Sequence, residues 1–372
     1  MRIGLITTDP AHPVLAAVTA LLTAAGHRVD HLDPEGPEGH RVGHLGPEGP
    51  GGHRGDHLDP EGPHGHWGDH LDPDGHRVGH LDLEGPHGHR DDHAGPDGAV
   101  SGPDRGGLAD VYLLKARTPR ALALAARLEA YGVPVLNSAA ATARCQDRVA
   151  MAELARTAGL PFAATRAVDT IGELAAAGEP AGPLVVKSRY SRRGDLVARA
   201  DTVADLRELA AGWPGEPVVV QEFTANSGWD HKLWVVDGQL FAGLRRSELA
   251  PDGRGPTRPL SPGELPAGWA ELALRTGAAF GLEVYGVDVL RGPDGPVVVD
   301  VNAFPGIRGQ AGAPEALADL ALRTARTAAT APTARTAPTA RTAATAAIAR
   351  TVPTTHTAPA AQETKAWRRK SG

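Results

Sequence analysis

Most of the chain alternates between short apolar runs and clusters of Gly, Pro and Asp, the rhythm of short strands and helices joined by tight turns. Arg2–Ile6 is an apolar strand, and Val14, Leu15, Val18, Leu21 and Leu22 then fall on one face of a helix over 12–25. Gly26 stops that helix and 27–31 reads as a second strand, so the chain opens as a βαβ unit. A strand at 110–114, a helix at 119–131 and a strand at 133–136 complete a small α/β domain. Helical segments at 139–143 and 147–158 lead into extended chain at 161–164. From Pro183 the pattern turns strand-rich, with strands at 184–187, 196–200, 218–223, 233–236 and 240–244 and a helix at 203–211. A helix at 268–280 and a final amphipathic helix at 314–322 flank one further feature.

That feature is 285–306, YGVDVLRGPDGPVVVDVNAFPG. Two β-prone runs, 284–290 and 297–301, flank Gly292-Pro293-Asp294-Gly295, so the pattern predicts a β-hairpin. Strand side chains alternate faces, which points Asp300 and Asn302 the same way. A register centred near Asp294 sets Asp288 opposite Asp300 to within about one residue. Three oxygen donors then converge on one patch, the kind of set that hard divalent cations take together with substrate phosphates. A surface hairpin with solvated carboxylates is the competing reading. Asp300 argues against it, because an acid between Val297-Val298-Val299 and Val301 sits where a buried strand holds no charge without a partner.

Composition changes the domain picture. Of 372 residues, 31–98 carry a repeat of roughly 13, from HLDPEGPEGHRVG to HLDLEGPHGHRDD, and 323–372 form an Arg-Thr-Ala-Pro tract with a basic ending. Neither has an apolar period that could close a core, so both are expected to be disordered. The expected organisation is an N-terminal α/β domain from 1–30 plus 99–137, interrupted by the insertion, then a second domain at 138–322. The insertion holds thirteen of the seventeen histidines, but irregular spacing among Gly and Pro offers metals no fixed geometry.

Charge and cysteine content exclude function classes. A net charge of -6 gives no case for nucleic acid, and no run of 18 apolar residues suggests a membrane span. The single Cys145 rules out an internal disulfide framework and fits a reducing compartment, so a soluble cytoplasmic protein is the expectation.

Other candidate residues sit at strand ends. Lys187 closes the apolar strand Pro183-Leu184-Val185-Val186 and precedes the basic loop Ser188-Arg189-Tyr190-Ser191-Arg192-Arg193-Gly194, which suits a polyphosphate; a strand-end lysine that snorkels its charge to water is the competing reading. Gln221, Glu222 and Phe223 follow a buried strand, where backbone groups can meet an adenine edge and Phe223 supplies an apolar wall. Asp230 could accept hydrogen bonds from ribose hydroxyls; Glu222 and Asp230 read equally as solvated strand ends.

Taken in order, these residues resemble the ATP-grasp superfamily, and within it the carboxylate–amine ligases related to the ribosomal protein S6 glutamate ligase RimK. The resemblance covers roughly 137–306 and is most specific in D-V-L followed by V-D-V-N-A-F-P-G. It implies a small Rossmann-like N-terminal domain followed by an α+β grasp, with ATP and Mg²⁺ (or Mn²⁺) as cofactors. It assigns the metal to Asp288, Asp300 and Asn302, the ATP phosphates to Lys187, the adenine hinge to Glu222 and Phe223, and the ribose to Asp230. Asp147-Arg148 matches an Asp-Lys pair that starts a helix and touches phosphate. Lys232 stands where an arginine is usual, and Arg245-Arg246 resembles a basic pair that neutralises phosphate or a carboxylate, with Arg246 and Lys232 as the expected catalytic cations. The loop after Lys187 has one glycine where the family has several, and 251–262 lacks the family's Arg-Ser-Asn type segment.

The implied activity joins a carboxylate to an amine through an acyl phosphate, with small-molecule or peptide substrates and with no nucleic-acid or membrane partner. Two alternatives stay open: a kinase of a small hydroxylated or inositol-phosphate-type molecule on the same fold, and a non-catalytic His-rich metal-binding protein.

Overall fold

A computed structural model describes residues 1–36, 107–192, 194–250 and 255–330. The expectations placed on 37–106, Arg193, 251–254 and the tail beyond 330 lie outside the described residues.

The predicted opening unit is present. β1 (Arg2–Ile6), β2 (Arg28–Leu32), β3 (Val111–Leu114) and β4 (Val135–Leu136) form a parallel sheet in the order β2-β1-β3-β4. α1 (Pro13–Ala24) and α2 (Pro119–Ala130) connect its strands. Thr118 starts α2 by accepting from the Ala121 N–H, with Pro119 in the first turn where its missing donor is no loss. Short α3 (Ala139–Arg144) and α4 (Arg148–Thr157) follow, capped by Ser138 and Asp147.

A second sheet has the order β5-β8-β6-β7, from β5 (Thr165–Val168), β6 (Leu184–Ser188), β7 (Val197–Ala200) and β8 (Val218–Glu222), all pairing antiparallel. α5 (Ile171–Ala176) and α6 (Val203–Gly212) bury Ile171, Leu174 and Leu206 with Val186, Val218 and Val220 of this sheet. Thr202 and Asp205 make a capping box for α6.

The third sheet has the order β11-β10-β9-β12-β13, from β9 (Trp229–Val236), β10 (Gln239–Arg246), β11 (Thr257–Leu260), β12 (Val284–Gly292) and β13 (Gly295–Ala303). α7 (Trp269–Phe280) packs on its back through Leu272, Ala273 and Phe280 against Leu233, Tyr285 and Val287. Gly277 of α7 lies so close to the Tyr285 ring that a Cβ there would fall 2.0 Å from it. Asn137, buried after β4, stitches the parallel sheet to this one. Its Nδ2 donates to the Val284 carbonyl at 2.7 Å, and its Oδ1 accepts from the N–H groups of Glu283 and Val284.

Three expectations are corrected. The final helix, α8, runs Ala313–Thr330 rather than stopping at 322. Ala325 continues the buried stripe of Leu317 and Ala321 against α1, and Arg323 pairs with Asp237, so packing carries the helix into a segment whose composition reads as disordered. The insertion does not begin at 31, because β2 runs to Leu32 and a turn follows to Gly36. β5, α5 and β11 have no counterpart among the predicted elements. β11 contains Pro259, which is tolerated because the strand lies at a sheet edge.

Candidate active site

The hairpin places the acids. Asp288 pairs directly with Asp300, and the register shifts by one residue immediately beyond, so that Val289 faces Val298. Val299 is the extra residue of a β-bulge. On β13 the fully buried Val298 and Val301 face the core while Val299, Asp300 and Asn302 all line a cleft. Strict alternation would send either Val298 or Val301 the other way. The bulge therefore explains how an acid follows three valines.

Cross-strand pairing extends this charged row over the sheet. Lys232 of β9 pairs with Asp288, and Arg245 of β10 pairs with Asp230, so Arg245, Asp230, Lys232, Asp288, Asp300 and Asn302 share one face. That face forms one wall of a cleft of about 1510 Å³. The second sheet forms the opposite wall, with Lys187, Gln221, Glu222 and Phe223 among its lining residues.

The cations are deeply placed. Lys187, Arg148 and Lys232 are 6 %, 5 % and 4 % exposed, burial that unpaired charges could not sustain. Lys187 Nζ donates to the Val299 carbonyl at 2.8 Å, using the acceptor that the bulge turns out of the ladder. Burial lowers its pKa against the pull of Asp300, with Arg148 pushing further in the same direction. Arg148, the first residue of α4, donates to the Ser188 carbonyl and to Asp195, both at 2.7 Å, and lies 3.7 Å from Asp300. Burial opposes its charge, but Asp300 and Asp195 outweigh that and hold the guanidinium above its ordinary value. Lys232 Nζ lies 2.6 Å from Asp288 and 3.4 Å from Asp230.

Asp147 caps α4 through the Val149 N–H and holds Arg189 at 2.8 Å. Burial raises its pKa, and the Arg189 and Val149 bonds more than reverse that, keeping the carboxylate ionised below its ordinary range. At the end of β8, the Gln221 amide is engaged with Thr165 Oγ1 at 2.9 Å, the Phe223 N–H with the Pro183 carbonyl, and the Arg199 guanidinium lies 4.1 Å over the Phe223 ring. The Gln221 side chain thus braces β8 against β5.

One expectation about placement is corrected. Arg246 is not among the cleft-lining residues; it pairs with Trp229 on the other face of β10, and its guanidinium lies 5.7 Å over that ring. Arg245 occupies the cleft instead, one position of alternation away. The signal was present in the sequence, since carrying the β9–β10 hairpin outward from its Asp237-Gly238 turn by period two sets Arg245 against Asp230. Sequence reasoning also missed Asp195 as the partner of Arg148, and His12, Lys115, Arg117 and Arg308 on the cleft's N-terminal side. These come from segments distant in sequence, and local pattern does not bring them together.

A cation would meet a mixed donor set here. Among the described residues, no group of three His, Cys, Asp or Glu gathers as a metal site. Asp288 and Asp300, adjacent across strands with Asn302 beside them, fit the oxygen-donor chemistry of a hard divalent ion and could hold one. Asp300 accepts from the Val301 N–H on Oδ1 and meets Asn302 and Arg148 on Oδ2 while lining the cleft, and Asp288 shares only Oδ2 with Lys232 among the described bonds.

The chain is similar to known proteins over part of its length. Residues 155–314 match the model of the RimK-like ATP-grasp domain. A probable alpha-L-glutamate ligase of Thioalkalivibrio sulfidiphilus is 30% identical over 197 residues, 49% of this chain and 64% of that protein, so the match spans less than two thirds of the relative. The crystal structure of a RimK domain ATP-grasp protein from Sphaerobacter thermophilus superposes with a TM-score of 0.56 at 21% identity, covering 87% of this chain and 99% of that one. The ATP-grasp ligase PsnB, solved with a minimal precursor, Mg and ADP, gives 0.52 at 17% identity over 87% and 97%. The row of acids and cations lining the cleft is thus set in a known frame: the fold is that of solved ATP-grasp structures, and residues 155–314 are similar to the RimK-like ATP-grasp domain.

Proposed function

We propose that this protein is an ATP-dependent ligase that joins a carboxylate to an amine and releases ADP and phosphate. The observation that carries the reading is the cross-strand row Lys232, Asp288, Asp300, Asn302 facing Lys187 over a single cleft. The naming of a related protein as a probable alpha-L-glutamate ligase, and of a structural neighbour as a ligase bound to a precursor with Mg and ADP, supports it.

The chemistry follows from charge. A carboxylate is a poor acyl donor because its oxygen leaves badly. One of its oxygens takes the γ-phosphoryl group of ATP and ADP departs; the amine nitrogen then attacks the carbonyl carbon, inorganic phosphate leaves and the nitrogen loses a proton. Phosphoryl transfer asks the protein mainly for positioning and charge neutralisation. Lys187 and Arg148 would hold phosphate oxygens on one side and Lys232 and Arg245 on the other, while the Phe223 ring would back the adenine. Asp288, Asp300 and Asn302 would hold Mg²⁺, which supplies Lewis-acid neutralisation of the phosphate oxygens. Burial makes these cations effective, because the same charges in water would be screened.

The test is incubation of the protein with ATP, Mg²⁺ and a panel of amino acids and short peptides, following ADP, free phosphate and product mass. Stimulated release of both ADP and phosphate with a condensed product is expected. Phosphate retained on a product would identify a kinase, and ADP release unaffected by any carboxylate–amine pair would defeat the ligase reading.

A further inference from the structure

The loop after β6 is fastened at the place where a backbone cradle for phosphate would have to be open. Among its described residues, the N–H groups of Arg189, Ser191 and Asp195 go to the carbonyls of Pro217, Gln146 and Arg192, and that of Leu196 goes to Ser188 Oγ at 3.0 Å. Side chains tie the same loop down: Arg189 to Asp147 at 2.8 Å, Arg192 to Glu216 through two bonds at 2.7 and 2.8 Å, and Asp195 to Arg148 at 2.7 Å. Backbone donors already engaged do not also take phosphate oxygens, so side chains decide what a nucleotide meets here.

Of these three ion pairs, only that of Arg148 with Asp195 has both members in the cleft wall. The donors of Arg148 are nearly all placed: Nη1 gives to the Ser188 carbonyl and to Asp195 Oδ2, Nη2 stands 3.7 Å from Asp300, beyond hydrogen-bond reach, and Nε is buried without a partner. The Ser188 carbonyl belongs to β6 and is fixed, whereas Asp195 reaches in from the loop as a side chain and is the partner that can be exchanged. Carboxylate and phosphate oxygens ask for the same guanidinium edge, so the two are rivals for Arg148. Without nucleotide the carboxylate is needed, because a guanidinium this deeply buried requires counter-charge, and Asp300 and then Asp195 hold it ionised against burial. Beside a seated phosphate the same carboxylate is a like charge.

We propose that Asp195 is a resident stand-in for a nucleotide phosphate on Arg148: it holds the guanidinium in place while no nucleotide is bound, and it must yield when a phosphate arrives. Asp195 is thus a positioning residue that sets how tightly the phosphate tail is held, and by competing for the phosphate's own donor it weakens binding. The inference rests on the nucleotide part of the ligase reading and adds to it a residue that opposes binding. The opposition falls on the phosphates alone, since the contact lies at Arg148 and not at Phe223, where the adenine would rest.

Asp195→Asn keeps the side chain's shape and removes its charge. The full chain carrying it should bind a non-hydrolysable ATP analogue with Mg²⁺ at least tenfold more tightly than wild type by calorimetry. Adenosine, which brings no phosphate to Arg148, should bind both proteins within twofold. Asp195→Ala, measured alongside, covers the case in which the asparagine oxygen still accepts from Arg148. Loss of a buried counter-charge should also lower the urea midpoint, so the variants gain affinity while losing stability, a combination that a merely structural contact would not give. Unchanged or weaker binding of the analogue in both variants overturns the proposal, as does an equal gain for adenosine, which would put the effect at the adenine end. If wild type and variants alike fail to bind the analogue, the nucleotide reading itself falls and Asp195 has nothing to rival. Binding that ignores Asp195 leaves that reading intact and removes only this one.

Discussion

The two faces of the five-stranded sheet hold opposite chemistry on the same strands. The cleft face presents Arg245, Asp230, Lys232, Asp288, Asp300 and Asn302; the back buries Leu233, Val235, Tyr285, Val287, Val289, Val298 and Val301 against α7. Each charged position is one residue from an apolar one, so placement depends on register more than on composition. Where the two patterns collide, at Val298 to Val301, a bulged Val299 lets both faces keep their residues and gives Lys187 a carbonyl to hold.

The contrast can be broken on either face. On the cleft face, Asp300→Asn should reduce ATP turnover on the order of 10²–10³-fold, the scale seen when one preorganised electrostatic group is removed. ADP release measures it, and an unchanged circular dichroism spectrum separates it from unfolding; near-wild-type turnover would remove Asp300 from the site. On the back, Val287→Asp buries an unpaired charge beside Leu233 and Phe280 and should destabilise the fold by roughly 4 kcal/mol or more. Denaturant unfolding is the readout, and retention of stability would mean this face is wetter than its packing shows.

Alternation itself is tested by Arg245→Ala against Arg246→Ala. The first should raise the ATP KM about tenfold, the effect of removing one hydrogen bond to a charged group, and the second by much less. Equal effects would undo the assignment of Arg245 to the cleft. On the N-terminal side of the cleft, Lys115 supplies a pH signature. Its pKa is about 8 when folded and near 10.5 otherwise, so between these values the unfolded chain holds the proton and the native chain does not. Stability should therefore rise with pH across that window, and Lys115→Met should flatten the rise in urea midpoints taken at pH 8 and pH 10. The smallest effect concerns Cys145, buried behind the sheet with its thiol pushed up to about 12 by burial and then by Asp300. Iodoacetamide at pH 8 should leave it unmodified until the protein is unfolded.

What was legible in the sequence was local and periodic. The hairpin turn at Gly292–Gly295, the pairing of Asp288 with Asp300 and the strands ending at Lys187 and Glu222 follow from alternation and turn chemistry. Arg246 was singled out by its place in a basic pair, whereas its face is set by the pairing of β10 with β9. The reach of α8 to Thr330 was hidden because Arg, Thr and Ala carry little apolar signal, and only the partner surface of α1 makes Ala325 a core residue. His12, Lys115 and Arg308 were illegible for a related reason: nothing within any one of their segments indicates that the other two are near.

The three sheets do not share their interiors equally. α8 and Trp234 knit the parallel sheet and the five-stranded sheet into a common core, and Asn137 rivets them, whereas the sheet bearing Lys187 and Phe223 closes around a separate set of side chains. Its links to the rest at the cleft are polar, as in Lys187 to Val299 and Arg148 to Ser188. Mechanically this leaves the parallel and five-stranded sheets joined through one hydrophobic interior, and the sheet of β5 to β8 with an interior of its own.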